Sequence, residues 1–200
     1  MNIAYTMAPG RGDTDLLLSR LAATLASQGV RSCGTVQINT DRASGPCAMD
    51  VRVLPDGPVL RISQDLGSAS KGCRLDPAAL ETAVGLVEAR LGPDVDLLII
   101  NKFGKHEAEG RGFRTTIARA LDLQIPVLVG VNSLNVSAFM EFAGSEAVRL
   151  APSDDPIYDW LAMAIDLPPS IHPAAPEARS GLRRSAQVGQ SSDARSHHLA

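Results

Sequence analysis

Two rhythms of apolar residues alternate along this chain: short continuous runs, and stretches in which they recur at three- and four-residue spacing. The first suits strands buried on both faces of a sheet, and the second suits helices with one apolar side. Asn2 to Thr6 reads as a first strand, broken by the turn Ala8-Pro9-Gly10-Arg11-Gly12. Leu17, Leu18, Leu21, Ala22 and Leu25 mark a helix from Thr14 to Ser27 that Gly29 ends. Cys33 to Ile38 is a second strand. Val51 to Leu54 and Val59 to Ile62, joined through Pro55-Asp56-Gly57-Pro58, predict a β-hairpin, so the middle of the chain is expected to be antiparallel. Asp76 can cap a helix whose first turn accepts Pro77 and which runs to about Leu91. Leu97 to Ile100 is a central strand, Gly112 to Leu123 a helix and Ile125 to Val131 another strand, which together form a βαβ unit. Asn135 to Phe142 reads as a short helix, Ala147 to Leu150 as a last strand, and Pro156 to Ile165 as a final helix docked by Trp160 and Leu161.

This order predicts an α/β fold of three layers, in which strands from Asn2, Asp96, Ile125 and Ala147 form one mainly parallel sheet with a β-hairpin insertion. With 200 residues and 44% hydrophobic composition, the chain suffices for one core, and residues 1–167 are assigned to a single domain. Beyond Asp166 the periodicity gives way to Pro, Ser, Ala, Arg and Gln, so 168–200 is expected to be a disordered tail. A balance of 19 basic against 22 acidic residues gives no overall case for nucleic acid. No apolar run is long enough to span a bilayer and no signal-like segment opens the chain, so the expectation is a cytoplasmic protein without membrane insertion. The 3 cysteines, Cys33, Cys47 and Cys73, are widely spaced without a C-x-x-C pair, which suggests free thiols rather than a disulfide framework or zinc knuckle.

The densest chemistry lies in Asp96 to Gly112, where the central strand runs into Asn101, Lys102, Gly104, Lys105, His106, Glu107, Glu109 and Arg111. Carboxyl ends of strands are where open α/β sheets bind ligands. His106, Glu107 and Glu109 could supply a base or hard-cation ligands; the plain alternative is a helix start with acidic residues at its positive end. The first turn, Met7 to Thr14, sits between strand and helix, as a phosphate-cradling loop does. Against the pattern G-x-x-x-x-G-K-[ST], Met7 replaces the first glycine and Asp13 the lysine, while Gly12 and Thr14 are kept. Asp13 then either opposes a phosphate or simply caps the helix. Lys71, in the small-residue loop Gly67 to Gly72, could grip an oxyanion, or the loop is a plain connector; Cys73 lies between Lys71 and Arg74, and most such cysteines are structural. His172, His197 and His198 show no metal-ligand spacing, and no metal site is assigned.

Over residues 1 to 150 the chain resembles a bacterial family of unknown function made of nucleoside-triphosphatase-like proteins associated with molybdate ABC transporter genes. The resemblance is carried by Asp15-Leu16-Leu17, the Gly34 to Gln37 strand, Gly72-Cys73-Arg74-Leu75-Asp76-Pro77 and Asn101-Lys102-Phe103-Gly104-Lys105-His106-Glu107-Ala108-Glu109-Gly110. More distantly the arrangement is similar to small P-loop nucleoside triphosphatases, whose Walker B strand ends in an Asp-Glu pair; Asn101 and Lys102 stand in its place, while Gly104 and Glu107 match. The resemblance implies a P-loop-like fold and, first, a ligand-binding or regulatory protein on a degenerate P-loop in molybdate or molybdenum-cofactor metabolism. Gly10, Gly12, Asp13, Thr14, Lys71, Asn101 and Lys105 are its candidate ligand-binding residues. The rival is a nucleoside triphosphatase with an atypical loop, in which Lys102 or Lys105 supplies the missing cation and Glu107 orients the attacking water. A third reading makes the central loop a docking surface. A nucleotide or small oxyanion is the implied ligand, proteins of molybdate transport or molybdenum enzymes are the implied partners, and the cofactor is unknown. Because 168–200 carries no apolar face, truncation after Leu167 should leave the melting temperature unchanged within error in a calorimetric comparison.

Overall fold

The computed structural model of the protein describes residues 2–40, 48–64, 74–165 and 167. Seven strands, Ile3–Thr6 (β1), Ser32–Thr40 (β2), Ala48–Leu54 (β3), Val59–Arg61 (β4), Leu97–Phe103 (β5), Val127–Val131 (β6) and Val148–Leu150 (β7), form one sheet in the order β4-β3-β2-β5-β6-β1-β7. From β2 to β7 every neighbouring pair is parallel, and only the β2–β3 and β3–β4 pairs are antiparallel. The hairpin insertion is therefore present. Strand β2, expected within the antiparallel middle section, is antiparallel to β3 on one side and joins the parallel set through β5 on the other. The strands beginning near Asn2 and Asp96 are separated by β6 alone, so their carboxyl ends open side by side.

Parallel neighbours need crossovers, and the helices supply them. Asp13–Ser27 (α1) links β1 to β2, Pro77–Glu88 (α2) leads into β5, Lys105–Ala108 (α3) and Arg114–Asp122 (α4) link β5 to β6, Val136–Ala143 (α5) leads to β7, and Asp154–Ala164 (α6) follows it. Side chains alternate across the sheet. Leu97 and Ile99 pack with α1 and α6, while Leu98 and Ile100 pack with α2, α4 and α5, which gives three layers and two apolar clusters. Trp160 and Leu161 are buried against α1, as their place on the last helix predicts. Helix α2 starts where the sequence indicates: Asp76 accepts from the N–H groups of Ala78 and Ala79 at 3.0 and 3.2 Å, and Pro77 occupies the first helical position. The helix expected from Gly112 to Leu123 is present as α4, and the polar stretch before it is not a plain loop. That stretch forms the single turn α3 and then a break through the left-handed Gly110 and Gly112.

The expected tail at 168–200 lies outside the described residues, as do Cys47, Lys71 with its loop Gly67 to Gly72, Cys73, His172, His197 and His198. Cys33 is buried as a free thiol.

One position fixes how closely β2 approaches β5. Gly34 has φ of +114°, and a Cβ there would fall 1.9 Å from the carbonyl oxygen of its register partner Ile99. An L side chain is strained at that φ and has no room to enter, so the two strands close only around glycine. Gly34→Ala should therefore destabilise the fold by about 3–5 kcal/mol, from strain and overpacking combined, as read from the midpoint and slope of urea unfolding.

Candidate functional site

The centre of the site is made by an irregularity in β5. Ile100 pairs with Val129 and Phe103 with Val131, so Asn101 and Lys102 together oppose the single residue Gly130. Such a bulge breaks the alternation of side chains and re-aims them. Here two consecutive residues reach the same carboxylate. Asn101 Nδ2 donates to Asp15 Oδ1 at 2.8 Å, and Lys102 Nζ lies 3.3 Å from the same oxygen. Asn101 Oδ1 accepts the N–H of Gln37 at 2.8 Å, which fixes the orientation of the amide and ties β2, β5 and α1 together. Asn101 and Asp15 are both 3% exposed, whereas the Lys102 side chain is 40% exposed. Gly130 makes the approach possible: a Cβ there would fall 2.1 Å from the Asn101 carbonyl oxygen and 3.0 Å from both Thr14 Cγ2 and Leu18 Cδ1.

The turn after β1 closes over this end of the sheet. Thr14 Oγ1 accepts the N–H of Ala8 at 3.0 Å, which draws the loop back onto the first turn of α1. Gly12, in the left-handed conformation, is the residue preceding the helix, and no side chain caps it. The alternative that Asp13 merely caps α1 is therefore corrected. Asp13 is the first helical residue, and its exposed carboxylate folds back over Gly10, filling the space that a side chain on Gly10 would take. With Asp15 it gives the helix an acidic first turn at its positive end. Beneath the loop, Tyr5 packs on Phe139 on one face of the sheet, while Ala4 packs with the α1 cluster on the other. Strand alternation puts the fully buried Thr6 on the α1 face, where its hydroxyl has no hydrogen-bond partner among the described residues.

The remaining candidates after β5 engage partners other than Asp15. Glu107 is 2% exposed, and its carboxylate accepts the N–H groups of Gly104 at 2.9 Å and Phe113 at 3.3 Å. Burial pushes its pKa up, against those two N–H bonds, which pull it down. His106, also buried, meets Glu81 of α2 at 2.6 Å through Nε2, and the same Glu81 oxygen accepts the N–H of Gly112 at 3.1 Å. Lys105 is 77% exposed and pairs with Glu109 at 3.6 Å; Glu109 also pairs with Arg111. The structure thus gathers Gly10, Gly12, Asp13, Thr14, Asn101 and Lys102 around the start of α1, while Glu107, His106 and Lys105 are engaged within and beside α3. Asp15, Thr6 and Gly130 complete the first group and are not prominent in the sequence. For Asp15 a signal exists: it shares a helix face with Leu18, Ala22 and Leu25, and a carboxylate on an apolar face needs buried partners.

Comparison with known proteins follows this geometry. The chain is 38% identical over 160 residues to a protein called Molybdenum import ATP-binding protein ModC 2, from Bradyrhizobium diazoefficiens. The match covers 79% of this chain but only 18% of that much longer relative. Among solved structures, THEP1 from the hyperthermophile Aquifex aeolicus superposes with a TM-score of 0.58 and 18% identity, over 83% of this chain and 98% of that one. A human cancer-related nucleoside triphosphatase superposes with a TM-score of 0.55 and 17% identity, over 82% and 95%. These two likenesses establish a shared P-loop-triphosphatase-like fold. The family described as "Protein of unknown function (DUF2478)" matches residues 3–160, and the chain belongs to that family.

Proposed function

We propose that the protein binds a nucleotide or a small oxyanion at the start of α1 and acts as a binding or regulatory module rather than as a triphosphatase. The observation that carries this reading is the replacement of both electrostatic parts of phosphoryl transfer. Asp13 stands in place of the phosphate-neutralising lysine, and Asn101 in place of the metal-holding acid. Asn101 is also fully employed as a buried bridge between Gln37 and Asp15. Lys102, half-exposed beside the loop, is the cation best placed to meet an anion, and Lys105, paired with Glu109, is a secondary one. Gly10, Gly12 and Thr14 supply the loop, and the start of α1 supplies N–H groups and the favourable end of its dipole. A role in molybdenum metabolism is supported by the name of the Bradyrhizobium relative and makes molybdate the oxyanion to test first.

The same geometry argues against Glu107 as the residue that orients an attacking water, since both its oxygens accept backbone N–H groups. We assign it to holding the turn between β5 and α4. Three functional results are expected. Purified protein with Mg²⁺ should release no phosphate from ATP or GTP above a buffer control. Calorimetric titration should detect binding of ATP or molybdate. Asp13→Lys should tighten ATP binding by about tenfold, because exchanging repulsion for attraction beside a phosphate is worth on the order of 1.4 kcal/mol. Robust Mg²⁺-dependent hydrolysis, abolished by Glu107→Gln, would instead establish the enzyme.

Glu107 also gives a pH signature. Its pKa is raised in the folded state, so between the unfolded and folded values the native protein binds more protons, and stability falls as pH rises through that window. Glu107→Gln faces an amide NH₂ toward one of the two backbone donors and should be destabilising, by about 1–3 kcal/mol. Urea titrations at several pH values should show this penalty largest below the carboxylate range and smaller above it, because only the unmodified protein has a residue-107 contribution that is lost as pH rises.

A further inference from the structure

Lys102 is held in an unusual place: its ammonium lies beside the positive end of α1, where a cation is disfavoured, and Asp15 is the buried charge that keeps it there. Building on the oxyanion-binding reading above, we propose that Asp15 is the counter-ion from which a bound tetrahedral oxyanion, free or as the terminal phosphate of a nucleotide, takes Lys102, so that Asp15 sets the affinity of the site. Three features support this. An ammonium has three donors, and the 40% exposure of the Lys102 side chain leaves it accessible to a ligand while Asp15 fixes its direction. Asn101 donates to the same Asp15 oxygen, so the carboxylate keeps a hydrogen-bond partner when Lys102 shifts its attention to a ligand. The third is independent of the ion pair. The Thr6 hydroxyl, fully buried on the α1 face in register with Gly130, has no partner among the described residues, and leaving a buried donor unused is costly unless something else arrives to use it.

The arrangement makes Asp15 a positioning residue with two opposed effects. It directs Lys102 toward the loop, and it repels any anion that Lys102 attracts. A ligand binds only if its interaction with the ammonium, the Thr14 and Thr6 hydroxyls and the loop N–H groups exceeds the Lys102–Asp15 attraction it weakens. Removing the Asp15 charge while keeping its shape should therefore favour the bound state.

Asp15→Asn serves as the test, because an amide oxygen at residue 15 can still accept from Asn101. Titration calorimetry with orthophosphate, molybdate and ATP, run as separate arms, distinguishes a free oxyanion from a nucleotide phosphate. For whichever anion the unmodified protein binds, Asp15→Asn should tighten binding by about tenfold. Lys102→Ala should abolish it, and the double variant should gain nothing over Lys102→Ala. Thr6→Val, which keeps side-chain size, should weaken the same anion by about threefold or more. A second readout needs no substitution: acylation of Lys102 in the unmodified protein, followed by mass spectrometry, should slow when the anion saturates the site. Binding that Asp15→Asn leaves unchanged, or a gain that persists without Lys102, overturns this inference and leaves the oxyanion-binding reading standing. Failure of all three anions to bind any variant, each shown folded by circular dichroism, overturns both.

Discussion

Burial of the Asp15 carboxylate is the constraint around which this end of the molecule is arranged. An ionised carboxylate withdrawn from water costs several kcal/mol unless it is paired and hydrogen-bonded. The chain meets that requirement with two consecutive residues of one strand, which a regular strand cannot present to one acceptor. The bulge in β5 follows from this need, as does the absence of a side chain at Gly130 opposite it. Asn101 extends the arrangement to β2 through Gln37, so one buried carboxylate links a helix to two neighbouring strands. Removing the Asn101 amide would break both its bond to Asp15 and the one it accepts from the Gln37 N–H.

The framework of the fold was legible because its signals are local. Continuous runs such as Leu97 to Ile100 can be satisfied only by burial on both faces, and the Asp76-Pro77 pair carries the chemistry of a helix start within itself. The reading failed where strand partners decide. Nothing within Cys33 to Ile38 shows that β5 will lie parallel beside it, or that Gly34 is needed for that contact. For the candidate site, the sequence indicated the loop residues but not the contacts that join them to the sheet. Lys102 stood out as a cation near the expected phosphate position; its partner Asp15 is 87 residues earlier, and proximity of that kind arises only from the order of strands in the sheet. Glu107 illustrates the converse. Its place after the strand suggested chemistry, whereas the folded chain directs both of its oxygens to backbone N–H groups three and six residues on either side.

The likeness in fold to THEP1 and to a human nucleoside triphosphatase coexists with a first loop that departs from the G-x-x-x-x-G-K-[ST] pattern at Met7 and Asp13. That combination is physically coherent. The sheet, the crossover helices and the closed turn depend on apolar burial and backbone bonds, none of which requires Lys at residue 13 or an acid at residue 101. A scaffold of this kind can keep its shape while the electrostatics at its mouth are rewritten, which is why membership of the family and the activity of the protein are separate questions.

Helix α6 has a consequence of a different kind. Trp160 is the only tryptophan in the sequence, and it lies 7% exposed in the cluster that includes Leu17, Leu21 and Leu25 of α1. The same helix carries Asp15 in its first turn. The indole is thus a native optical probe packed against α1, the helix at whose start ligand binding is proposed. Its emission wavelength reports how well α1 is seated on α6, without a label and without ambiguity about which residue is shining.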